Sequence, residues 1–259
     1  MKTLRSGLLG LLLSVLAPCL RAQDVPAIAA ASDLRYALDE VLTRFQRDTG
    51  RSARVSYGSS GVYTAQIRQG APFELFLSAD EHVVFQLHEA GRTEDRGQLY
   101  AVGRLVLFAP AGAGWTPDPE FRGLAAARDA KTLRRFAIAN PEHAPYGRAA
   151  LAVLTSLQIA ETVQPRLVLA DNVAQALQFV DTGGASLGLV SASLAGDPRL
   201  AGRGRGIPVS SELHPPLRQG GVILKWARDP TAARAVRDFL VGSRGRELLR
   251  EHGFQLPEL

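Results

Sequence analysis

Short apolar runs alternate with stretches of helical periodicity along most of this chain, and that alternation permits few folds. Val25–Ala31 reads as a buried strand; Leu34, Leu38, Val41, Leu42 and Phe45 then recur at helical spacing until Gly50. Ala53–Tyr57 is a second strand, followed by a helix over Val62–Arg68 that ends at Gly70. Glu74–Leu77 is a third, followed by a helix over Glu81–Glu89 closed by Gly91. Three β-then-α units in succession predict a parallel sheet with right-handed crossovers. A long apolar run, Leu99–Ala109, stops at Pro110, and a stretch rich in Gly, Ala, Pro and Asp follows to Pro119, which reads as a boundary or hinge crossing. A second series then begins near Arg135. It has strands at Phe136–Ala139, Leu167–Leu169 and Ser186–Val190, with helices at Gly147–Leu157 and Val173–Asp181. Residues 195–206 carry four glycines and a proline and read as a surface loop. Gly221–Trp226 is a further strand and Thr231–Arg250 one long terminal helix, with Arg244, Arg246 and Arg250 near its negative end.

Two such series predict an α/β protein of two lobes, each a mixed, mostly parallel sheet flanked by helices, with a ligand cleft between them. The 259 residues suffice for both cores. We place the first lobe at 23–106 plus 221–259 and the second at 107–220, the terminal strand and helix returning to the first.

The first 22 residues stand apart. Lys2 and Arg5 precede an apolar core, Leu8–Leu16, that is too short to span a bilayer, and Leu20-Arg21-Ala22 resembles a cleavage site. This reads as a secretory signal peptide, with an uncleaved anchor as the alternative, and it marks the chain for export. The segment holds three of the 30 basic residues and no acid, so the remaining chain carries only about +2. Its apparent basicity is therefore poor grounds for nucleic-acid binding. The single cysteine, Cys19, lies in the same segment, where Pro18 spoils a lipoprotein box; the rest of the chain has no disulfide, thiolate metal site or thiol nucleophile.

The strand-to-helix junctions hold the functional residues. Ala29-Ala30-Ala31-Ser32-Asp33-Leu34 and Ser56-Tyr57-Gly58-Ser59-Ser60-Gly61 each close an apolar run and open a helix. Such a junction puts backbone N–H groups, a hydroxyl and a positive helix end at one point, which suits an anion. Taken alone, Ser32 and Ser60 are more often simple helix caps; their shared place at the carboxyl ends of consecutive strands favours a ligand. In the second series, Asn140-Pro141-Glu142-His143-Ala144-Pro145-Tyr146-Gly147 and Ala170-Asp171-Asn172-Val173 occupy the same kind of position. Pro145 fixes a turn, Gly147 lets backbone approach closely, and Tyr146 can offer a phenol.

Four such junctions, two per lobe, form a clamp, and with them the chain resembles the molybdate-binding periplasmic subunits of bacterial ABC importers. The matching segments are Ala29–Asp33, Tyr57–Gly61, the run from Gly70 to Asp80, Asn140–Gly147, Asp171–Val173 and Leu187–Val190. Of these, Gly-Ala-Pro-Phe-Glu-Leu-Phe-Leu-Ser-Ala-Asp is the most specific. The resemblance implies a periplasmic-binding-protein fold and a monomer that hands molybdate, and tungstate, to a membrane permease whose ATPase is another chain. It implies hydrogen bonds to the oxyanion from Ser32, Ser60, Tyr146 and Val173, with Asp33, Ser59 and Ser191 as further candidates. Some members place a tyrosine where this chain has Ser191; Tyr146 fits the variant that supplies a hydroxyl from the Pro-X-Gly loop. Asp33 is the departure that matters. A carboxylate facing a dianion is costly, so its side chain is expected to turn away while its N–H remains a donor.

The donor set accords with that ligand. A tetrahedral dianion wants many donors, no acceptors and a dry site, and each charge-assisted hydrogen bond contributes on the order of 1.5–3 kcal/mol. Five or six, less the costs of ordering and desolvation, leave a micromolar or tighter complex of about −8 kcal/mol. The metal would be bound as the oxyanion, with no side chain on the metal itself and no cofactor. Alternatives are a receptor for sulfate or phosphate, a sensing lobe, or a secreted hydrolase using Ser59 or Ser60. Gly58-Ser59-Ser60-Gly61 is not a Gly-x-Ser-x-Gly elbow, the five histidines show no metal-binding spacing, and no nucleotide-binding glycine pattern occurs. The chain reads as a binder and not an enzyme.

Overall fold

The computed structural model describes residues 25–113, 118, 121 and 133–258. The signal-like segment with Cys19, and part of the stretch after Pro110, lie outside the described residues.

The first sheet has strand order β2-β1-β3-β10-β4, built from β1 (Ala27–Ala31), β2 (Arg54–Gly58), β3 (Leu75–Ser78), β4 (Gln98–Gly103) and β10 (Leu217–Ile223). Strands β2 and β3 both run parallel to β1, in register Ile28↔Val55 and Ile28↔Leu75, while β10 runs antiparallel to β3 and β4. Helices α1 (Arg35–Thr49), α2 (Ser60–Arg68) and α3 (Glu81–Glu89) make the expected crossovers. Their placement follows from strand alternation. Ile28, Ala30, Leu75, Leu77 and Ile223 share a core with Leu38, Val41 and Phe45 of α1. Ala29, Phe76 and Val222 face Ile67 of α2 and Val84 and Leu87 of α3. Both faces are covered, which is why these strands read as unbroken apolar runs.

The second sheet has order β7-β6-β8-β5-β9, from β5 (Leu105–Pro110), β6 (Phe136–Ala139), β7 (Leu167–Ala170), β8 (Leu187–Ser191) and β9 (Gly204–Pro208). Strands β7 and β8 are parallel to β6, and β5 is antiparallel to β8 and β9. Helices α4 (Pro145–Ser156), α5 (Ala160–Val163), α6 (Val173–Asp181) and α7 (Ala192–Ala195) belong to this half. Gly147 makes the close approach expected of it: a Cβ there would stand 2.2 Å from the Ala139 carbonyl oxygen.

Several elements differ from the sequence reading. The apolar run Leu99–Ala109 is two strands, one in each sheet, with the crossing at Arg104. The last strand begins at Leu217, so residues 217–220 pair in the first sheet. The loop assigned to 195–206 ends in β9, an edge strand that pairs, among the described residues, with β5 alone. The long terminal helix is two helices, α8 (Pro230–Val241) and α9 (Ser243–Glu251), separated by Gly242 in an extended conformation. Both pack on the first core through Val236, Leu240, Leu248 and Leu249. Among the described residues, no helix is long and apolar enough to cross a membrane.

Candidate functional site

Both sheets deliver their parallel strands, carboxyl ends first, to one place. Strand β1 runs into a 3-10 turn at Ser32–Leu34, and β2 leads to Ser59, the N-cap of α2. Strand β6 leads through residues 140–144 to α4, which opens on Pro145 and Tyr146; β7 leads to Asn172, the N-cap of α6. Ser32, Asp33, Ser59, Ser60, Ala79, Tyr146, Asn172 and Val173 all bound one small, tightly closed pocket. Three helix starts from two lobes therefore meet there, and first-turn N–H groups have no intrahelical acceptor.

The side chains at those starts are held so that protons stay free. Ser60, fully buried, accepts the Ala79 N–H at Oγ (2.9 Å). Ser32 is buried and accepts the Ala174 N–H at Oγ (3.4 Å). A hydroxyl that accepts from backbone keeps its own proton to donate elsewhere. Asn172 Oδ1 accepts the N–H groups of Ala174 and Gln175, both at 3.1 Å, so the cap serves the second and third residues of α6. The Val173 N–H is left over at the helix mouth.

The remaining candidates are placed differently. Ser59 bounds the pocket, but its hydroxyl donates to the His143 carbonyl at 2.7 Å. Ser191 does not bound the pocket; its Oγ accepts the Leu194 N–H at 3.4 Å and caps α7. Tyr146 is buried, with its phenol oxygen 3.5 Å from Gln219 Nε2 and against Gly103, where a Cβ would stand 2.2 Å from that oxygen. The phenol thus faces the Gln219–Asp33 side, whereas the Tyr146 N–H, second in α4, is the group with no intrahelical acceptor.

Asp33 is 1% exposed. Its Oδ2 accepts Gln219 Nε2 at 2.6 Å and its Oδ1 has no hydrogen-bond partner. Burial pushes the carboxyl up to about 6; Gln219, Tyr146 and the N–H groups of Asp33 and Leu34 hold it below where burial alone would put it. Burial and the nearby Asp33 charge raise the Tyr146 phenol well above its ordinary value, so it remains a neutral donor.

The cleft is shut by contacts across it. The His143 carbonyl accepts the Gly61 N–H at 2.9 Å besides the Ser59 hydroxyl, and His143 Nδ1 lies 3.0 Å from Ser59 Oγ. Ser193 Oγ donates to the Asp33 carbonyl at 2.9 Å, and Arg148 of α4 pairs with Asp80, the N-cap of α3, at 2.5 Å. The Arg148 pair is half exposed and contributes little by itself. Among the described residues, no cluster of three or more His, Cys, Asp or Glu is placed to hold a metal ion.

Sequence reasoning missed Gln219, Gly61 and the His143 carbonyl. Gln219 is fully buried in β10 beside a register shift at Gln219/Gly220. Such a bulge re-aims a side chain and leaves little trace in a single sequence. The signal available was a polar residue inside an apolar strand.

The geometry has counterparts. Residues 27–255 match the family described as bacterial extracellular solute-binding protein. The molybdate-binding protein ModA of Azotobacter vinelandii is 38% identical over 231 residues, covering 88% of this chain and 89% of its own. That of Rhodobacter capsulatus is 34% identical over 261 residues, covering 98% and 97%. The solved structure of the Azotobacter vinelandii periplasmic molybdate-binding protein superposes with a TM-score of 0.82 at 30% identity, over 90% of this chain and all of that one. The sulfate-binding protein SubI from Mycobacterium tuberculosis H37Rv (TM-score 0.73, 14% identity) shares the fold alone. Two mixed five-stranded sheets with helices on their faces, closed on a pocket at the strand ends, are a two-lobed periplasmic-binding-protein fold. With the match running over 27–255 and relatives this similar along nearly the whole length, the chain belongs to the bacterial extracellular solute-binding proteins.

Proposed function

We propose that this protein captures molybdate, and tungstate with it, in the periplasm as a monomer and delivers it to an ABC-type permease driven by a separate ATPase. The observation that carries this reading is the convergence of three helix starts and two proton-bearing serines on one small pocket closed from both lobes. The molybdate-binding relatives support the choice of ion. Ser32 Oγ, Ser60 Oγ and the N–H groups of Tyr146 and Val173 are the donors. The Asp33 N–H lies on the same rim. All are neutral, so the anion's charge meets dipoles and not a counterion. Cavity size then separates molybdate and tungstate from the smaller sulfate and phosphate. The amino-terminal segment is the leader that exports the chain.

Hydrolysis is disfavoured by the same geometry. Ser59 and His143 are 3.0 Å apart, yet the serine proton goes to the histidine's own carbonyl. No carboxylate is hydrogen-bonded to the His143 ring among the described residues, so nothing orients it as a base.

Calorimetric titration with molybdate, tungstate, sulfate and phosphate tests the function. Saturable heat with the first two and little with the others is expected; a response confined to sulfate or phosphate reassigns the ligand. Val173→Pro tests the donor set. Proline fits the first position of a helix, and Asn172, at φ −157° and ψ 173°, already has the extended backbone that a following proline requires. The substitution removes the N–H and exchanges the buried Val173 side chain for a ring of similar bulk. Affinity should fall roughly tenfold or somewhat more, as expected for one charge-assisted hydrogen bond. Unchanged affinity with an intact fold removes Val173 from the site.

A further inference from the structure

The two oxygens of Asp33 are served unequally. Oδ2 accepts Gln219 Nε2 at 2.6 Å, and Oδ1 is buried with no hydrogen-bond partner. Asp33 bounds the same pocket as Ser32, Ser60, Tyr146 and Val173. Every one of those four offers a donor. An ionised carboxylate offers only acceptors, and a dianion placed beside it gains repulsion and no hydrogen bond. The groups facing the carboxyl do not offset this. They are Gln219 from β10, Tyr146 from α4, Tyr100 from β4 and the N–H groups of Asp33 and Leu34, none of them cationic. Burial holds both phenols well above their ordinary range, so neither adds charge.

We infer that the site closes on its oxyanion together with one proton from solvent, held between Asp33 Oδ1 and an oxygen of the anion. This rests on the oxyanion reading above. An ionised carboxylate, a dianion and one proton give a complex of net charge −2 in place of −3. The proton forms an O–H bond on one side and a hydrogen bond on the other, and no bond to the anion's central atom changes. With that proton in place Oδ1 becomes a donor, as Ser32, Ser60 and the N–H groups of Tyr146 and Val173 are. A carboxyl already at about 6 in the empty site is part-way to this state, and a neighbouring dianion raises it further. The coupling also fixes a preference. At neutral and alkaline pH this site binds an oxyanion only with a proton, a condition that a neutral residue at this position would not impose.

The test is calorimetric titration of the native protein with sodium molybdate at about pH 8, in two buffers of different ionisation enthalpy. Uptake of close to one proton per molybdate is expected, with affinity about tenfold weaker at pH 8 than at pH 7. Asp33→Asn should reduce the uptake to near zero and flatten the pH profile, because its amide oxygen still accepts from Gln219 and its NH₂ donates without titrating. Tight molybdate binding with no proton uptake in the native protein overturns the inference and leaves the function standing. Uptake that survives in Asp33→Asn overturns it too, since the proton then sits elsewhere. No heat with any of the four oxyanions overturns the function, and this inference with it.

Discussion

Gly61→Ala is expected to weaken oxyanion binding roughly a hundredfold or more while each lobe stays folded. A Cβ at position 61 would stand 2.3 Å from the His143 carbonyl oxygen and 2.9 Å from that residue's carbonyl carbon and Cα. These are backbone atoms of the opposite lobe, so no side chain can swing aside. Gly61 lies inside α2, where alanine is the better helix former, so the first lobe loses nothing by the change. The cost falls on closure. Overpacking against a fixed partner costs about 1–3 kcal/mol. Separating the lobes also stretches the Gly61 N–H and Ser59 hydroxyl bonds to His143, each contributing about 1 kcal/mol. Together these reach about 3 kcal/mol or more, which is a hundredfold or greater in affinity. Titration with molybdate measures the loss, and thermal unfolding without ligand checks the fold. Near-native affinity in Gly61→Ala shows that the ligated form does not bring His143 against α2.

Why the two lobes and their junctions could be read from sequence, and the hinge and floor of the site could not, has a physical basis. The strands β1, β3, β6 and β8 are buried on both faces, so each is an unbroken apolar run closed by a cap residue. Ser32 and the loop to Tyr146 follow two of these strands, β1 and β6, whereas Ser60 and Val173 follow the partly exposed edge strands β2 and β7 and are marked by the Ser59 and Asn172 N-cap positions that open their helices. The crossing at Arg104 was not, because β4 and β5 are both apolar and periodicity says nothing about which sheet a strand joins. The edge strand β9 reads as a loop because it is Gly-rich, ends in Pro208 and is mostly exposed, as edge strands can be. The Thr231–Arg250 pattern holds its phase across Gly242, so only the backbone reveals two helices there. In the site, Gln219 approaches Asp33 across 186 positions of sequence and the His143 group that binds Ser59 and Gly61 is a carbonyl. Every residue has a carbonyl, so that contact leaves no mark on side-chain identity. The Asp33 carboxyl, expected to turn away from the pocket, is served unequally: Oδ2 is held by Gln219 and Oδ1 has no hydrogen-bond partner.

The ligand-free protein carrying Asp33→Asn is expected to gain about 5 to 10 °C in unfolding midpoint over the native chain at pH 8, and little at pH 4. The sign follows from the direction of the shift. The Asp33 carboxyl moves from an ordinary value of 3.8 to about 6 on folding, driven first by burial. The folded state therefore holds this proton more tightly than the unfolded chain does, and stability falls as pH rises from below 3.8 through 6. The full effect is about 3 kcal/mol and most of it develops between pH 4 and 6. Asparagine keeps an oxygen for Gln219 and does not titrate, so the gap between the two proteins widens with pH and then levels off. Thermal unfolding of both proteins from pH 4 to pH 8 measures it. A gap of the same size at every pH shows that Asp33 titrates alike in the folded and unfolded chain, and that burial does not control its charge. A gap that widens and levels near pH 6 shows that the empty pocket carries an uncompensated charge. An incoming anion must then meet that charge or bring a proton to remove it.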